Sequence, residues 1–306
     1  MKIVPNFIIG GPPKCASTSL YFYLKQHPEI FMSPVKQTRF FSMEYDKGIE
    51  YYTKNFFSGV TNQKMAGEAT PGYFLLPYVP QRIKSFNPDM KMIFCFRNPA
   101  ERAFSGWNMR VTNGTETLSF HDAMAENLKQ LNIAKQQGES SLLQEQTVSK
   151  LDEESHRVYI EAGMYATNLK NYYKYFEPSQ IKIVFLEELS KDLHGTLKSI
   201  FNFLGVDENY VIEKTEQQHT ARQQKIKTSG GFMRKLKRAL KPFTKMMGEG
   251  AKKKINDAMY KKSAAEGSKA KLTTEDRKFA YDIFKDEIDE LEKMLNVNLS
   301  HWKYAG

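Results

Sequence analysis

Two short stretches carry the residue types that would hold a phosphorylated ligand. The first is Gly10-Gly11-Pro12-Pro13-Lys14-Cys15-Ala16-Ser17-Thr18-Ser19, which follows an apolar run. Backbone N–H groups at a helix start bind anions, and Lys14 adds a point charge to them. The second is Arg97-Asn98-Pro99-Ala100-Glu101-Arg102-Ala103-Phe104-Ser105. Its arginine closes another apolar run, at the strand end where open α/β sheets bind ligands. Ser105 lies about two turns into the helix that follows, and its hydroxyl can share a phosphate with the guanidinium.

Two departures from a nucleotide triphosphatase narrow the chemistry. A Walker A loop has Ser or Thr directly after its lysine to hold Mg²⁺, whereas Cys15 follows Lys14. The second strand of such an enzyme ends in a metal-binding Asp, whereas this one ends in Arg97. Both point to a multiply charged anion held by protein cations, with no metal required. A P-loop kinase or NTPase is the alternative that these positions disfavour.

These residues need a frame. Residues 3–9 read as a buried strand ended by Gly10-Gly11, residues 17–27 as a helix stopped by Pro28, and Met90–Phe96 as a central strand. Asn98, Pro99 and Glu101 form a strong helix start, with Glu101 completing a capping box. Residues 119–157 are polar surface helix and loop, Tyr165–Phe176 an amphipathic helix, Ile181–Leu186 a strand, and Leu193–Leu204 a helix closed by Gly205. Thr273 and Asp276 open a last helix with Ala280, Phe284, Ile288, Leu291 and Leu295 on one face. Strands alternating with helices predict an α/β fold: a P-loop-like, three-layer arrangement with a mainly parallel sheet flanked by helices.

Composition sets the boundaries. The 306 residues, 41% hydrophobic, fit one domain over 1–306 with a sizeable core. No apolar run is long enough for a membrane span, and Phe7-Ile8-Ile9 is too short for a signal peptide. Cys15 and Cys95 form neither a disulfide framework nor a metal pair, so the expected setting is reducing and cytoplasmic. The net charge of +10 is concentrated: residues 222–262 hold 14 Lys/Arg and two acids, while the rest of the chain is slightly acidic. Such a segment suits an anionic acceptor, or peripheral contact with a membrane. No nucleic-acid module is recognisable.

Pro13-Lys14-Cys15-Ala16-Ser17-Thr18-Ser19-Leu20 resembles the 5′-phosphosulfate loop of sulfotransferases that use 3′-phosphoadenosine 5′-phosphosulfate (PAPS). The Arg97–Ser105 stretch resembles their 3′-phosphate motif. Lys36-Gln37-Thr38-Arg39-Phe40-Phe41 is similar to a Lys-Glu-Pro-His-Phe-Phe segment, Gly67–Tyr73 to Gly-Glu-x-[Ser/Thr]-Pro-x-Tyr, and Gly163-Met164-Tyr165 to a Gly-x-Tyr before a helix. The closing Leu272-Thr273…Leu299-Ser300-His301-Trp302 occurs in bacterial members. The resemblance spans nearly the whole chain and is closest to the branch related to heparan-type sulfotransferases.

It implies sulfuryl transfer from PAPS to a hydroxyl or amine, leaving adenosine 3′,5′-bisphosphate (PAP). Lys14 would stabilise the bridging oxygen, residues 15–19 would bind the 5′-phosphosulfate, and Arg97 and Ser105 the 3′-phosphate. Tyr165 would pack near the adenine, with Arg222, Lys225 and Lys227 closing over the cofactor. The general base is the departure. The family's glutamate is Gln37 here, which takes no proton. Glu68 is the substitute by motif, against a bracing role at the Thr70-Pro71 turn, and His219 is a further candidate contact. Without a base, the chain would be an inactive PAP-binding protein. The acceptor, a carbohydrate or other anionic molecule, and the oligomeric state are left open.

Overall fold

The computed structural model describes residues 5–136, 157–213 and 270–304. Five strands form one sheet: β1 Phe7–Gly10, β2 Ile30–Met32, β3 Met65–Ala69, β4 Lys91–Phe96 and β5 Ile181–Phe185. Their spatial order is β2-β3-β1-β4-β5, and every pairing is parallel. Alternation along the central strands feeds two cores. Ile8, Met92, Phe94 and Phe96 face one side, while Phe7, Ile9, Ile93 and Cys95 face the other.

Helix α1 (Ser17–Leu24), α8 (Leu186–Lys191) and α9 (Leu193–Leu204) cover the second face. The first is covered by α3 (Gly48–Phe57), α4 (Val79–Phe86), α5 (Pro99–Thr112), α6 (Phe120–Gln136), α7 (Tyr165–Tyr173) and α10 (Thr274–Leu295), with the short α2 (Phe40–Met43) among them. This is the expected three-layer α/β arrangement.

Topology decides where a ligand binds. After β1 the chain crosses toward β2 on one side, and after β4 it crosses toward β5 on the other. The carboxyl ends of β1 and β4 therefore flank the switch point, where open sheets form their binding crevice. The Lys14 loop follows β1 and Arg97 follows β4, so the two predicted anion-binding stretches meet there.

The expected ends of three helices hold at residue level, while the helix after the first loop stops at Leu24 and the one from Tyr165 at Tyr173. Asn98 Oδ1 accepts from the N–H groups of Ala100 and Glu101 at 3.0 and 3.3 Å, with Pro99 in the first turn. Thr273 Oγ1 accepts from the Asp276 N–H at 3.0 Å, and Gly205 closes α9 with φ 79°. The capping box at Glu101 is corrected. The Asn98 N–H instead donates to Glu187 Oε1 at 3.3 Å, because two arginines draw the Glu101 carboxylate away. Strands β2 and β3 carry no clear sequence signal. β3 is Met-Ala-Gly-Glu-Ala, poor in strand formers. Its Gly67 is required by packing: a Cβ there would stand 2.5 Å from the Phe7 ring.

Candidate functional site

The loop after β1 holds an unusual backbone. Gly11 has φ 85°, and a Cβ on it would meet the Cys95 N–H nitrogen at 3.0 Å. Lys14 and Ala16 have φ 75° and 59°; Gln37 and Arg39, in the loop after β2, have φ 61° and 56°. The other non-glycine residue with positive φ among those described is Asn296, which ends α10. Left-handed backbone costs a residue other than glycine about 1–3 kcal/mol, and such strain gathers at ligand sites. Here it sits in two facing loops. Ala16 is the N-cap of α1 but supplies no side-chain cap, so the first-turn N–H groups of Ser17, Thr18 and Ser19 are directed at an anion position.

Cations surround that position. The Lys14 ammonium has one polar neighbour, Met109 Sδ at 3.6 Å. Lys36 Nζ donates to Thr18 Oγ1. Burial, aided by the Arg97 guanidinium, lowers the Lys14 pKa. Burial, aided by Lys14, brings that of Lys36 down to about 8. Among the described residues no carboxylate pairs with either lysine.

Arg97 is oriented, not neutralised. Glu101 Oε2 accepts from its Nη2 at 3.1 Å, while Glu101 Oε1 accepts from Arg277 Nη1 at 3.2 Å. One carboxylate thus splays two guanidiniums, one from the end of β4 and one from α10. Ser105 follows Glu101 by four residues on α5 and precedes Met109 by four, so all three share a helix face. Met109 touches Lys14 and Glu101 touches Arg97, so Ser105 stands on α5 between the two contacts.

The structure corrects two expected contacts. Tyr165 is 1% exposed and belongs to the core: its ring stacks on Phe96 with centroids 4.6 Å apart, and its hydroxyl donates to the Arg97 carbonyl at 2.8 Å. It braces the end of β4, and its ring has no open face for an adenine. The Cys15 thiol is also buried, 3.9 Å from the Tyr165 hydroxyl, and burial pushes its pKa up to about 12. Cys15 and Ala16 therefore face a ligand through their backbone alone.

The acceptor side differs most from expectation. Glu68 is fully buried in β3 and accepts four hydroxyls. Thr38 and Thr70 Oγ1 donate to Oε2, each at 2.6 Å, while Tyr52 and Tyr73 donate to Oε1 at 2.9 and 3.2 Å. Burial raises its pKa, and the four hydrogen bonds oppose that rise. With its lone pairs filled and no surface, Glu68 cannot reach an acceptor's proton. This corrects its expected role as a base and leaves the bracing one. Gln37 is exposed; its N–H donates to the Ala69 carbonyl at 2.9 Å, tying the strained loop to the end of β3. His27 is buried between Phe201 and Tyr210, hydrogen-bonded to the Asp207 carbonyl, and is structural.

Spacing places Lys36 only within a matched segment and gives no sign that it meets Thr18. Nor does it show the bond from Glu101 to Arg277 or the hydroxyl cage, which join distant parts of the chain. Arg222, Lys225, Lys227 and His219, with the whole 222–262 segment, lie outside the described residues.

This crevice, on a parallel sheet with a phosphate-type loop after β1, defines a P-loop-like nucleotide-binding protein. The family of the sulfotransferase domain matches residues 5–294, and the chain belongs to it. A sulfotransferase from Alicyclobacillus acidocaldarius has a similar fold, with a TM-score of 0.67 at 23% identity, covering 98% of this chain and 99% of that one. Human heparan sulfate glucosamine 3-O-sulfotransferase 3B1 is 26% identical over 220 residues, or 70% of this chain and 51% of that protein. The membrane-associated sulfotransferase kil1 of Dictyostelium discoideum is 36% identical over 110 residues, 35% of this chain and 23% of that protein. The chain therefore spans about half of the first of these relatives and about a quarter of the second.

Proposed function

We propose that the protein transfers a sulfuryl group from PAPS to a hydroxyl or amine of an acceptor, releasing adenosine 3′,5′-bisphosphate. The carrying observation is the pair of ammonium groups, without a carboxylate partner among the described residues, at the open N-terminus of α1 beside Arg97. Family membership supplies the reaction class. In this reading Lys14 stabilises the negative charge that grows on the bridging oxygen as the S–O bond breaks, the kind of preorganised contribution that dominates such transfers. Arg97 and Ser105 hold the 3′-phosphate, and the α1 N–H groups, with Ser17, Thr18 and Ser19, hold the 5′-phosphate. Arg222 and Lys225 would close over the nucleotide.

The acceptor fits a molecule that gives up its proton readily, since neither Gln37 nor Glu68 offers an open carboxylate. A carbohydrate amine or hydroxyl agrees with the heparan-directed relative. That same absence favours a second reading, an inactive PAP-binding protein. The cytoplasmic setting rests on two buried, unpaired cysteines. Among the described residues no helix is long and apolar enough to cross a membrane; the basic segment would supply any membrane contact.

Calorimetry and thermal melts with PAP in EDTA test the donor. PAP should raise the melting temperature without metal, by about 2.7 kcal/mol of stabilisation at a hundredfold excess over Kd. ATP binding that is tighter and strictly Mg²⁺-dependent would overturn it in favour of an NTPase. A screen of acceptors with labelled PAPS then separates enzyme from binding protein: no transfer to any acceptor, with PAP bound tightly, supports the inactive reading.

A further inference from the structure

Lys36 stands where an ammonium group is costly unless an anion joins it. It is half-buried, its Nζ donates to Thr18 in the first turn of α1, and its nearest charged neighbour is another lysine, Lys14. Among the described residues no carboxylate compensates either charge. Burying cations without a counter-ion is strongly unfavourable, so a fold that keeps two of them together leaves their compensation to a ligand.

The surrounding loop is built to keep Lys36 there. Gln37 and Arg39 are both left-handed and flank Thr38. The Gln37 N–H is held by the Ala69 carbonyl, and the Thr38 hydroxyl by the buried carboxylate of Glu68. The strained stretch is thus pinned to β3 through Gln37 and Thr38, which fixes where the lysine leaves the backbone. Arg39 also starts α2, whereas Gln37 is itself exposed and Thr38 faces the core.

We propose that Lys36 is a direct ligand of the donor's 5′-phosphosulfate, a second ammonium that grips it from the β2 side while Lys14 grips it from the β1 loop. The proposal rests on the sulfotransferase reading above. It has a consequence for protons. The groups that face Lys36 are the Lys14 ammonium from the β1 loop and the Thr18 hydroxyl from α1; Glu68 of β3 is turned to its four hydroxyls. In the free protein Lys36 is half neutral near pH 8. A phosphate dianion beside it favours the charged form and raises its pKa. Between the free and bound values, nucleotide binding must therefore draw a proton from solvent, and affinity must fall as pH rises through about 8.

Calorimetric titration with adenosine 3′,5′-bisphosphate in EDTA, in buffers of differing ionisation enthalpy, reads both affinity and proton uptake. The wild type should take up about half a proton per nucleotide at pH 8, since half of Lys36 is then neutral. Lys36→Met should bind about tenfold to hundredfold more weakly at pH 7 and take up fewer protons, because a charge-assisted contact is gone. Lys36→Arg, charged at every pH used, should retain part of the affinity and lose the uptake. Thermal melts establish that each variant is folded, and either variant suffices if the other is not. A folded Lys36→Met that binds with wild-type affinity and the same proton uptake overturns the proposal while the donor assignment stands. A wild type that binds no nucleotide overturns the donor assignment first, and this inference with it.

Discussion

The crevice has two sides that handle charge in opposite ways. On the donor side, Lys14 and Lys36 share a helix N-terminus with no carboxylate for either among the described residues, and Arg97 is aimed by Glu101 without being buried. On the acceptor side, the buried carboxylate of Glu68 is saturated by four hydroxyls within 3.2 Å. An uncompensated charge is a place kept for a ligand; a fully compensated one is part of the scaffold. The contrast separates two residues that motif position alone would class together. In the proposed reading Lys14 serves the chemistry, while Glu68 holds the loop that carries Lys36.

The largest expected effect lies on the uncompensated side. Lys14→Ala should lower turnover by about 10²–10³-fold, the cost of removing one preorganised donor from a transition-state oxyanion. PAP affinity should change far less, because the charge matters most as the bridging oxygen ionises. A loss of affinity equal to the loss of turnover would make Lys14 a binding residue only, and would erase the distinction between it and Arg97.

Arg97→Ala should weaken nucleotide binding by about 1.5–3 kcal/mol, the value of a charge-assisted hydrogen bond. Turnover at saturating donor should largely persist. Titration of PAP against the variant checks this, and undiminished affinity would leave Arg277, Glu101's other partner, as the phosphate ligand.

The smallest effect on chemistry belongs to the compensated side. Glu68→Gln places an amide donor among four hydroxyl donors and should cost about 1–3 kcal/mol of stability, read as a lower melting temperature. Turnover per folded molecule should fall less than tenfold. A loss of 10²–10⁴-fold with unchanged melting would restore Glu68 as the general base and break the contrast. The pH dependence of stability sharpens it further. Burial raises the Glu68 pKa in the folded state. Its ionisation therefore costs stability, and that contribution is lost as pH rises through the folded value. Glu68→Gln should flatten this part of the stability curve.

How much of this was legible in the sequence differs between the same two sides. Lys14, Arg97 and Ser105 are readable because each lies on a local pattern: apolar run, turn and helix start. Asn98 caps α5 as its residue type demands, for the hydrogen bonds close within three residues. The acceptor side was misread because its partners are far apart. Glu68 meets Tyr52, Thr38 and Tyr73 only after β3 is inserted between β2 and β1, and β3 itself is too rich in Gly and Ala to announce a strand. Tyr165 was misplaced for a similar reason. A Gly-x-Tyr before a helix does not say which face of the tyrosine the core will take, and here Phe96 and the Arg97 carbonyl take it.

The sequence by itself determined what is short-range: the alternation of strands and helices, the anion loop after β1, the capped helix after β4, and the replacement of a metal-binding hydroxyl and aspartate by Cys15 and Arg97. Those follow from residue type and spacing, because backbone hydrogen bonding and side-chain period act over a few residues. Only the tertiary structure decided which charges stay uncompensated. That depends on which groups from distant segments end up within about 3 Å of one another. The fold brings Thr38 and Tyr52 to Glu68, Arg277 to Glu101 and, among the described residues, nothing acidic to Lys14 or Lys36.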